Sequence, residues 1–324
     1  MNQILRRQFL IAAGALLATP FAHAQMPRRI VILNPLRMTP AWEKDFLRDF
    51  RQGLAEEGLK DGSDYVLDMV PVQVGERLVD GVREALRGQP ALLVPLTTPV
   101  AQVTAREARG LPVIFGVVSD PIASGLVASL AHPGGNVTGV SNVLPELSGK
   151  LLELLLELIP GASRVAVLFN PDNQGKLLEL RDLKAAAKAR GVSLRELPVR
   201  SEQDIDLALN AAGKERAQAL VTLDDALTHN YSQRIDETAL RMLLPVVANG
   251  VNHTEAVAAY SPDYPAERSR LGALAGKVLK GAKPSQLPVE LPTKLEFVIN
   301  QKSARKLGIV VPPSILIRAD RVIE

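Results

Sequence analysis

The sequence predicts an α/β protein built as two doubly wound lobes joined by several chain crossings. Three observations predict it. Short apolar runs alternate with segments of helical periodicity along nearly the whole chain, which is the rhythm of βαβ units with parallel strands and right-handed crossovers. The rhythm restarts after a junction near Thr138–Asn142. The 324 residues also exceed the length at which a single hydrophobic core keeps growing.

Residues 1–24 are expected to be a signal peptide and are set aside first. Arg6-Arg7 supply the charged start, Phe9–Phe21 is mostly apolar, and Ala22-His23-Ala24 fits a small-residue cleavage site. The apolar run is shorter than the roughly 20 residues a membrane-spanning helix needs. LRRQFLI resembles a twin-arginine signal, although Leu5 precedes the pair, so the twin-arginine and general export routes both stay open.

The first lobe begins with the strand Arg29–Leu33 (RIVIL). Phe46, Phe50 and Leu54 at helical spacing, with Gly58 near the end, predict a helix over Trp42–Leu59. YVLDMV, ALLVPL and PVIFGVV are strands, and Gly75–Arg87 and Val100–Arg109 are helices. Pro133 and Gly134-Gly135 end a short helix before the junction. The second lobe repeats the pattern. Its helices are Glu146–Ile159, Leu177–Arg190, Asp204–Glu215 and Tyr231–Met242, and its strands are RVAVLFN, VSLRELPV, ALVTL and PVVAN. The tail holds one helix, Pro265–Lys280, then an extended stretch, since Pro284, Pro288 and Pro292 forbid a helix, and then a strand. The lobes are placed at residues 27–140 plus 261–287 and 141–260 plus 288–324.

Composition excludes several classes. With no cysteine the chain has no disulfide framework and no N-terminal lipid anchor through Cys. Removing Arg6 and Arg7 takes the formal charge from +3 to +1 with no basic run, so neither nucleic acid nor an anionic membrane is an expected partner. Phosphate-binding and dinucleotide-binding glycine motifs, the G-x-S-x-G elbow and HExxH are all missing. His132, His229 and His253 stand far apart and are read as surface or packing residues. No catalytic residue, metal or cofactor is expected, and no later segment is apolar for long enough to insert stably in a membrane.

Ligands of open α/β sheets bind just past the carboxyl ends of the strands. Helix N-termini there present unpaired N–H groups and partial positive charge. Asn34 follows the first strand, Thr97 and Thr98 follow LLVPL, and Ser119 and Asp120 follow Val118. In the second lobe Asn170 follows VAVLF, Asp224 and Asp225 follow LVTL, and Asn249 follows VVA. Each serves equally well as a helix cap. The functional reading comes from both lobes showing the same arrangement, because two such rims facing each other make a cleft. Ser141 and Asn142, with Thr138, lie where the chain passes between lobes, as hinge or as ligand contacts. Trp42, the only tryptophan, has two readings: a staple for the first helix, or a cover for an apolar or aromatic ligand.

PVIFGVVSDPIASGLVASLAHPGGNVTGVSN, ELSGKLLELLLELIPGASRVAVLFNP and VLKGAKPSQLPVELPTKLEFVINQKSARKLGIVVPPSILIRAD resemble the ABC-transporter substrate-binding proteins whose characterised members bind tryptophan or tyrosine. The likeness runs from about Ile30 to Glu324. It implies the type I periplasmic binding fold, two Rossmann-like lobes with a multi-crossing hinge. It also implies a soluble, monomeric receptor in the periplasm that delivers a small molecule, an amino acid or aromatic compound, to an ABC permease in the inner membrane. Thr97-Thr98-Pro99, Ser119-Asp120-Pro121 and Asn170-Pro171 match family motifs, whereas NPLRMTPAW departs from them. For an amino-acid solute, Thr98 or Ser119 with backbone N–H groups would hold the carboxylate, and one of Asp120, Asp224 or Asp225 the ammonium. A ligand-binding sensor for a membrane receptor uses the same cleft and is the alternative.

Overall fold

The computed structural model describes residues 26–142, 147–250 and 252–324, so the leader expected at 1–24 and Glu146, the expected start of a helix, lie outside them. One sheet contains β1 (Arg28–Asn34), β2 (Tyr65–Pro71), β3 (Leu92–Pro95), β4 (Val113–Val118) and β5 (Val137–Ser141), in the order β2-β1-β3-β4-β5. All its pairings are parallel. The other sheet contains β6 (Arg164–Phe169), β7 (Ser193–Pro198), β8 (Ala219–Leu223), β9 (Val246–Asn249), β10 (Ala258–Pro262), β11 (Leu295–Asn300) and β12 (Arg321–Ile323), in the order β12-β11-β10-β9-β8-β6-β7. Only the β10–β11 pair is antiparallel.

The inner strands are apolar without alternation because helices cover both faces of each sheet, whereas the edge strands β2 and β7 include polar residues and are less buried. Successive residues of β1 therefore serve opposite cores. Ile30 and Ile32 pack with Phe46 and Phe50 of α1 (Pro40–Glu56). Val31 and Leu33 pack with residues of α2 (Leu78–Arg87) and α3 (Thr98–Glu107). In the second lobe, Val165, Val167 and Phe169 pack with α4 (Leu147–Leu158) and α5 (Gln174–Ala189). Ala166 and Leu168 face α6 (Glu202–Lys214) and α8 (Ser232–Arg241), with the short α7 (Ala226–Asn230) between β8 and α8.

After β10 the chain returns to the first lobe as α9 (Tyr264–Leu279), which lies on α1. Two glycines permit this contact. A Cβ on Gly53 would stand 1.8 Å from the Ser269 carbonyl oxygen, and one on Gly272 would stand 2.0 Å from that of Phe50. The segment after α9 runs beside β5, where Glu290 N–H donates to Gly139 and Ser141 N–H donates to Glu290, each at 2.9 Å. It then enters β11. The chain thus passes between the sheets three times, and Thr138–Ser141 belong to the edge strand β5 rather than to a free junction.

Several short elements differ from expectation. The short helix expected before Pro133 is a series of turns. Pro284–Gln286 forms one 3₁₀ turn within the stretch expected to be extended. The five-residue α7, strand β10, α10 (Gln301–Lys306), α11 (Pro313–Arg318) and β12 were not expected. Each is too short to show a period, and α7 exists because Asp225 accepts from Leu227 N–H at 2.9 Å and Thr228 N–H at 3.2 Å. α1 starts two residues before its expected bound because Thr39 Oγ1 accepts from Trp42 N–H at 3.1 Å, with Pro40 as its first residue.

Candidate functional site

The carboxyl ends of both sheets face one cavity enclosing about 880 Å³ of space, its open mouth included. The first lobe contributes mostly apolar surface from Leu36, Trp42, Phe46, Leu96, Val140 and Leu271, together with Thr97, Thr98, Ser119, Asn142 and the α9 residues Tyr264, Glu267 and Arg268. The second lobe contributes Asn173, Lys176, Asp224, Asp225, His229 and Asn249, all polar. One wall is therefore aromatic and aliphatic, and the other charged.

Local backbone strain shapes the first wall. Thr97 has φ +75° and Val117 has φ +56°, both β-branched residues in the left-handed region. Such conformations cost of order 1–3 kcal/mol each and gather at functional sites. Val117 sits where the β4–β5 register shifts between Phe115 and Val118, a bulge that turns the strand end toward the cavity. The Thr97 Oγ1 and Asn142 Oδ1 atoms are buried there without a hydrogen-bond partner among the described residues.

The aromatic wall is a stack. The Trp42 and Phe46 ring centroids are 5.3 Å apart, and the Arg268 guanidinium lies 5.6 Å from each. Arg268 also contacts Asp49 at 3.4 Å, and burial lowers its pKa against that attraction.

Asp224 and Asp225 are adjacent but differently employed. Asp225 caps α7, and its Oδ2 accepts from Asn170 Nδ2 at 2.8 Å. Burial raises its pKa even so. Asp224 has His229 Nδ1 at 3.6 Å and the Thr228 hydroxyl at 3.4 Å. Burial would raise its pKa, but the His229 hydrogen bond and the charges of His229, His253 and Lys176 outweigh it and hold it below the ordinary value. Asp224 is the carboxylate kept ionised at the cavity.

Eight residues expected from sequence line the cavity together: Trp42, Thr97, Thr98, Ser119, Asn142, Asp224, Asp225 and Asn249. Four do not. Asn34 is buried in a turn with Leu36, accepting at 3.0 Å and donating at 3.2 Å. Asp120 accepts from Ala123 N–H at 2.9 Å beside a neighbouring groove. Ser141 donates to the Val118 carbonyl at 2.8 Å, and Asn170 donates to Asp225. Trp42 fits both of its readings, since it stacks on Phe46 and faces the cavity. His229, read from sequence as a surface or packing residue, lies in the wall, whereas His253 is the packing histidine, its Nδ1 2.6 Å from the buried Asp236. Sequence reasoning missed Lys176 and the α9 trio of Tyr264, Glu267 and Arg268. α9 arrives by a late crossing and carries no local sign of its destination.

The lobes also touch directly. Ser119 Oγ donates to Glu179 Oε1 at 2.6 Å, and Glu179 also accepts from Lys176 Nζ at 2.6 Å and Asn249 Nδ2 at 3.2 Å. Gln102 donates to Gln174 at 2.7 Å, and Asn230 Nδ2 donates to the Pro35 carbonyl at 3.3 Å. A Cβ on Gly175 would stand 2.7 Å from Ser119 Cβ and 3.0 Å from Thr98 Oγ1. The cleft is closed, with the start of α5 seated on the rim of the first lobe.

Residues 43–323 match the family described as ABC transporter substrate binding protein. A tyrosine-binding protein of Clostridioides difficile (strain R20291) is 26% identical over 264 residues, 80% of this chain and 75% of that one. A crystal structure of an ABC domain in complex with L-Trp from Streptococcus pneumoniae shares 27% identity at a TM-score of 0.84, covering 92% of this chain and all of that one. A conserved domain protein from Vibrio cholerae gives 26% identity and a TM-score of 0.84, over 92% of this chain and 100% of its own.

Proposed function

The chain belongs to the ABC transporter substrate-binding protein family, and on that premise we propose that its solute is an amino acid with an aromatic side chain. Membership favours delivery to a transporter over the sensor reading. The proposed setting is the periplasm, reached through a signal peptide at 1–24, and the proposed partner is an ABC permease in the inner membrane that receives solute from a monomer. The proposed moving parts are the first sheet with α9 and the second sheet with its helices.

The carrying observation is the division of the cavity into an aromatic wall and a charged wall, with unsatisfied buried oxygens between them. Buried polar atoms are normally paired, so unpaired ones lining a cavity point to a ligand. The solute ring would lie against Trp42 and Phe46. Its carboxylate would meet the Thr98 and Ser119 end, where α3 begins without a side-chain cap. Its ammonium would meet Asp224, because Asp225 is occupied as a cap and Asp120 faces elsewhere. Tyrosine-binding and L-Trp-bound relatives support the aromatic amino-acid class of the solute.

Thermal melting against an amino-acid panel tests the reading. A solute present at 100 times its Kd stabilises by about 2.7 kcal/mol, and tyrosine or tryptophan is expected to raise the melting temperature most. A panel in which no amino acid raises it contradicts the reading.

A further inference from the structure

Glu267 carries a buried carboxyl oxygen that no described residue bonds. It is 7% exposed, it lines the cavity, and its Oε1 has no hydrogen-bond partner among the described residues. It shares the cavity wall with the apolar Trp42, Phe46 and Leu271. Leaving a buried polar atom without a partner is unfavourable, so this one is expected to find its partner in the solute.

The surrounding charges are already engaged. On its own helix, Arg270 donates to Glu290 of the returning segment at 2.7 Å, and Arg268 contacts Asp49 of α1. Asp263 caps α9 through Ala266 N–H, with Lys294 at 3.6 Å, and Tyr264 is the other titratable group on this turn. Across the cleft, Lys176 is bound to Glu179, and Asp224 pairs with His229. Among the described residues, the cations whose charges reach Glu267, Arg268 and Arg270, are each engaged with another carboxylate. Burial, opposed by Arg270, raises its pKa to about 8. At neutral pH the group is a carboxylic acid with an O–H to donate.

We propose that Glu267 is a specificity-determining residue that donates its carboxyl O–H to an acceptor oxygen on the solute's side chain, so that this site selects a hydroxylated aromatic amino acid over its unsubstituted counterpart. The proposal rests on the amino-acid reading above. The linkage sign follows from the proton. The solute binds the protonated form, so the contribution is complete below about pH 8 and is lost as pH rises through that value.

Calorimetric titration of L-tyrosine and L-phenylalanine from pH 6.5 to 9 tests it. The ratio of the two affinities is read, because the amino and carboxyl groups are common to both and their titration cancels. The wild type is expected to prefer tyrosine by about tenfold or more near pH 7, with the ratio falling above pH 8 toward a limit of about tenfold per unit. Glu267→Gln keeps a donor and is expected to hold the preference within a few-fold while removing its pH dependence. Glu267→Leu is expected to bring the two affinities together. A ratio that is flat with pH in the wild type, or an affinity that rises with pH and is lost in Glu267→Gln, overturns the proposal alone. Failure of the wild type to bind tyrosine or phenylalanine at any pH, while another amino acid raises its melting temperature, overturns the proposal alone, and a panel in which no amino acid binds overturns the amino-acid reading and the proposal with it.

Discussion

Asp224 and Asp225 show how neighbours of one residue type divide their work. Asp225 spends both oxygens on the protein, capping α7 and accepting from Asn170. Asp224 keeps capacity to accept, and its environment favours the charged form. Asp224→Asn is expected to weaken amino-acid binding by about 100-fold, within the cost of removing one member of a buried charge pair, with little change in melting temperature. Asp225→Asn is expected to change stability, by about 1 kcal/mol as a weakened cap, more than affinity. Calorimetry and thermal melting of the two variants separate these outcomes, and equal loss of affinity in both contradicts the division. From sequence the two aspartates looked alike, since both follow β8. What distinguishes them is which way each carboxylate turns, and that is set by Asn170 and His229 from elsewhere in the second lobe.

At the scale of elements, the legible parts are those with a long period or a dense apolar run. β1, β4, β6 and β8 read as strands because both faces are buried, and α1, α5 and α9 read as helices because their buried residues recur over several turns. The polar rims at the strand ends were legible for the same reason, as the fold fixes where strands stop. The role of α9 was not legible. Gly53 and Gly272 look like ordinary helix-weakening residues in the sequence, yet they let α9 settle onto α1 and carry Glu267 and Arg268 beside Trp42. Gly175 poses a similar case at the start of α5, where only a hydrogen fits between the lobes. Gly175→Val is expected to prop the cleft open. Calorimetry should show affinity reduced by about tenfold or more, equivalent to about 1.4 kcal/mol, while the melting temperature without solute changes by only a few degrees. Unchanged affinity in this variant contradicts the seating of α5 on the first rim.

At the scale of the whole molecule, the proposed closure is a rigid-body event between the two sheets with their helices. Each sheet has hydrophobic clusters on both faces, so each lobe retains its core when the cleft opens. Contacts across the cleft include hydrogen bonds from Ser119 to Glu179, Gln102 to Gln174, Asn230 to Pro35, Arg37 N–H to Asn230 and Gln174 to the Ala123 carbonyl, with the Arg37 guanidinium over the Tyr231 ring. Such bonds contribute about 0.5–1.5 kcal/mol each, and water replaces them on opening. A solute that touches both walls shifts the balance toward closure by its differential affinity for the two forms. On that proposal, the three chain crossings keep the two sheets in register as the cleft opens.

The most direct measurement is a crystal structure grown with whichever amino acid most raises the melting temperature. The expected density is one solute molecule between the two sheet edges, its ring against Trp42 and Phe46 and its ammonium on Asp224. Solute density outside that space, or side chains of the protein filling it while the solute is bound elsewhere, contradicts the assignment.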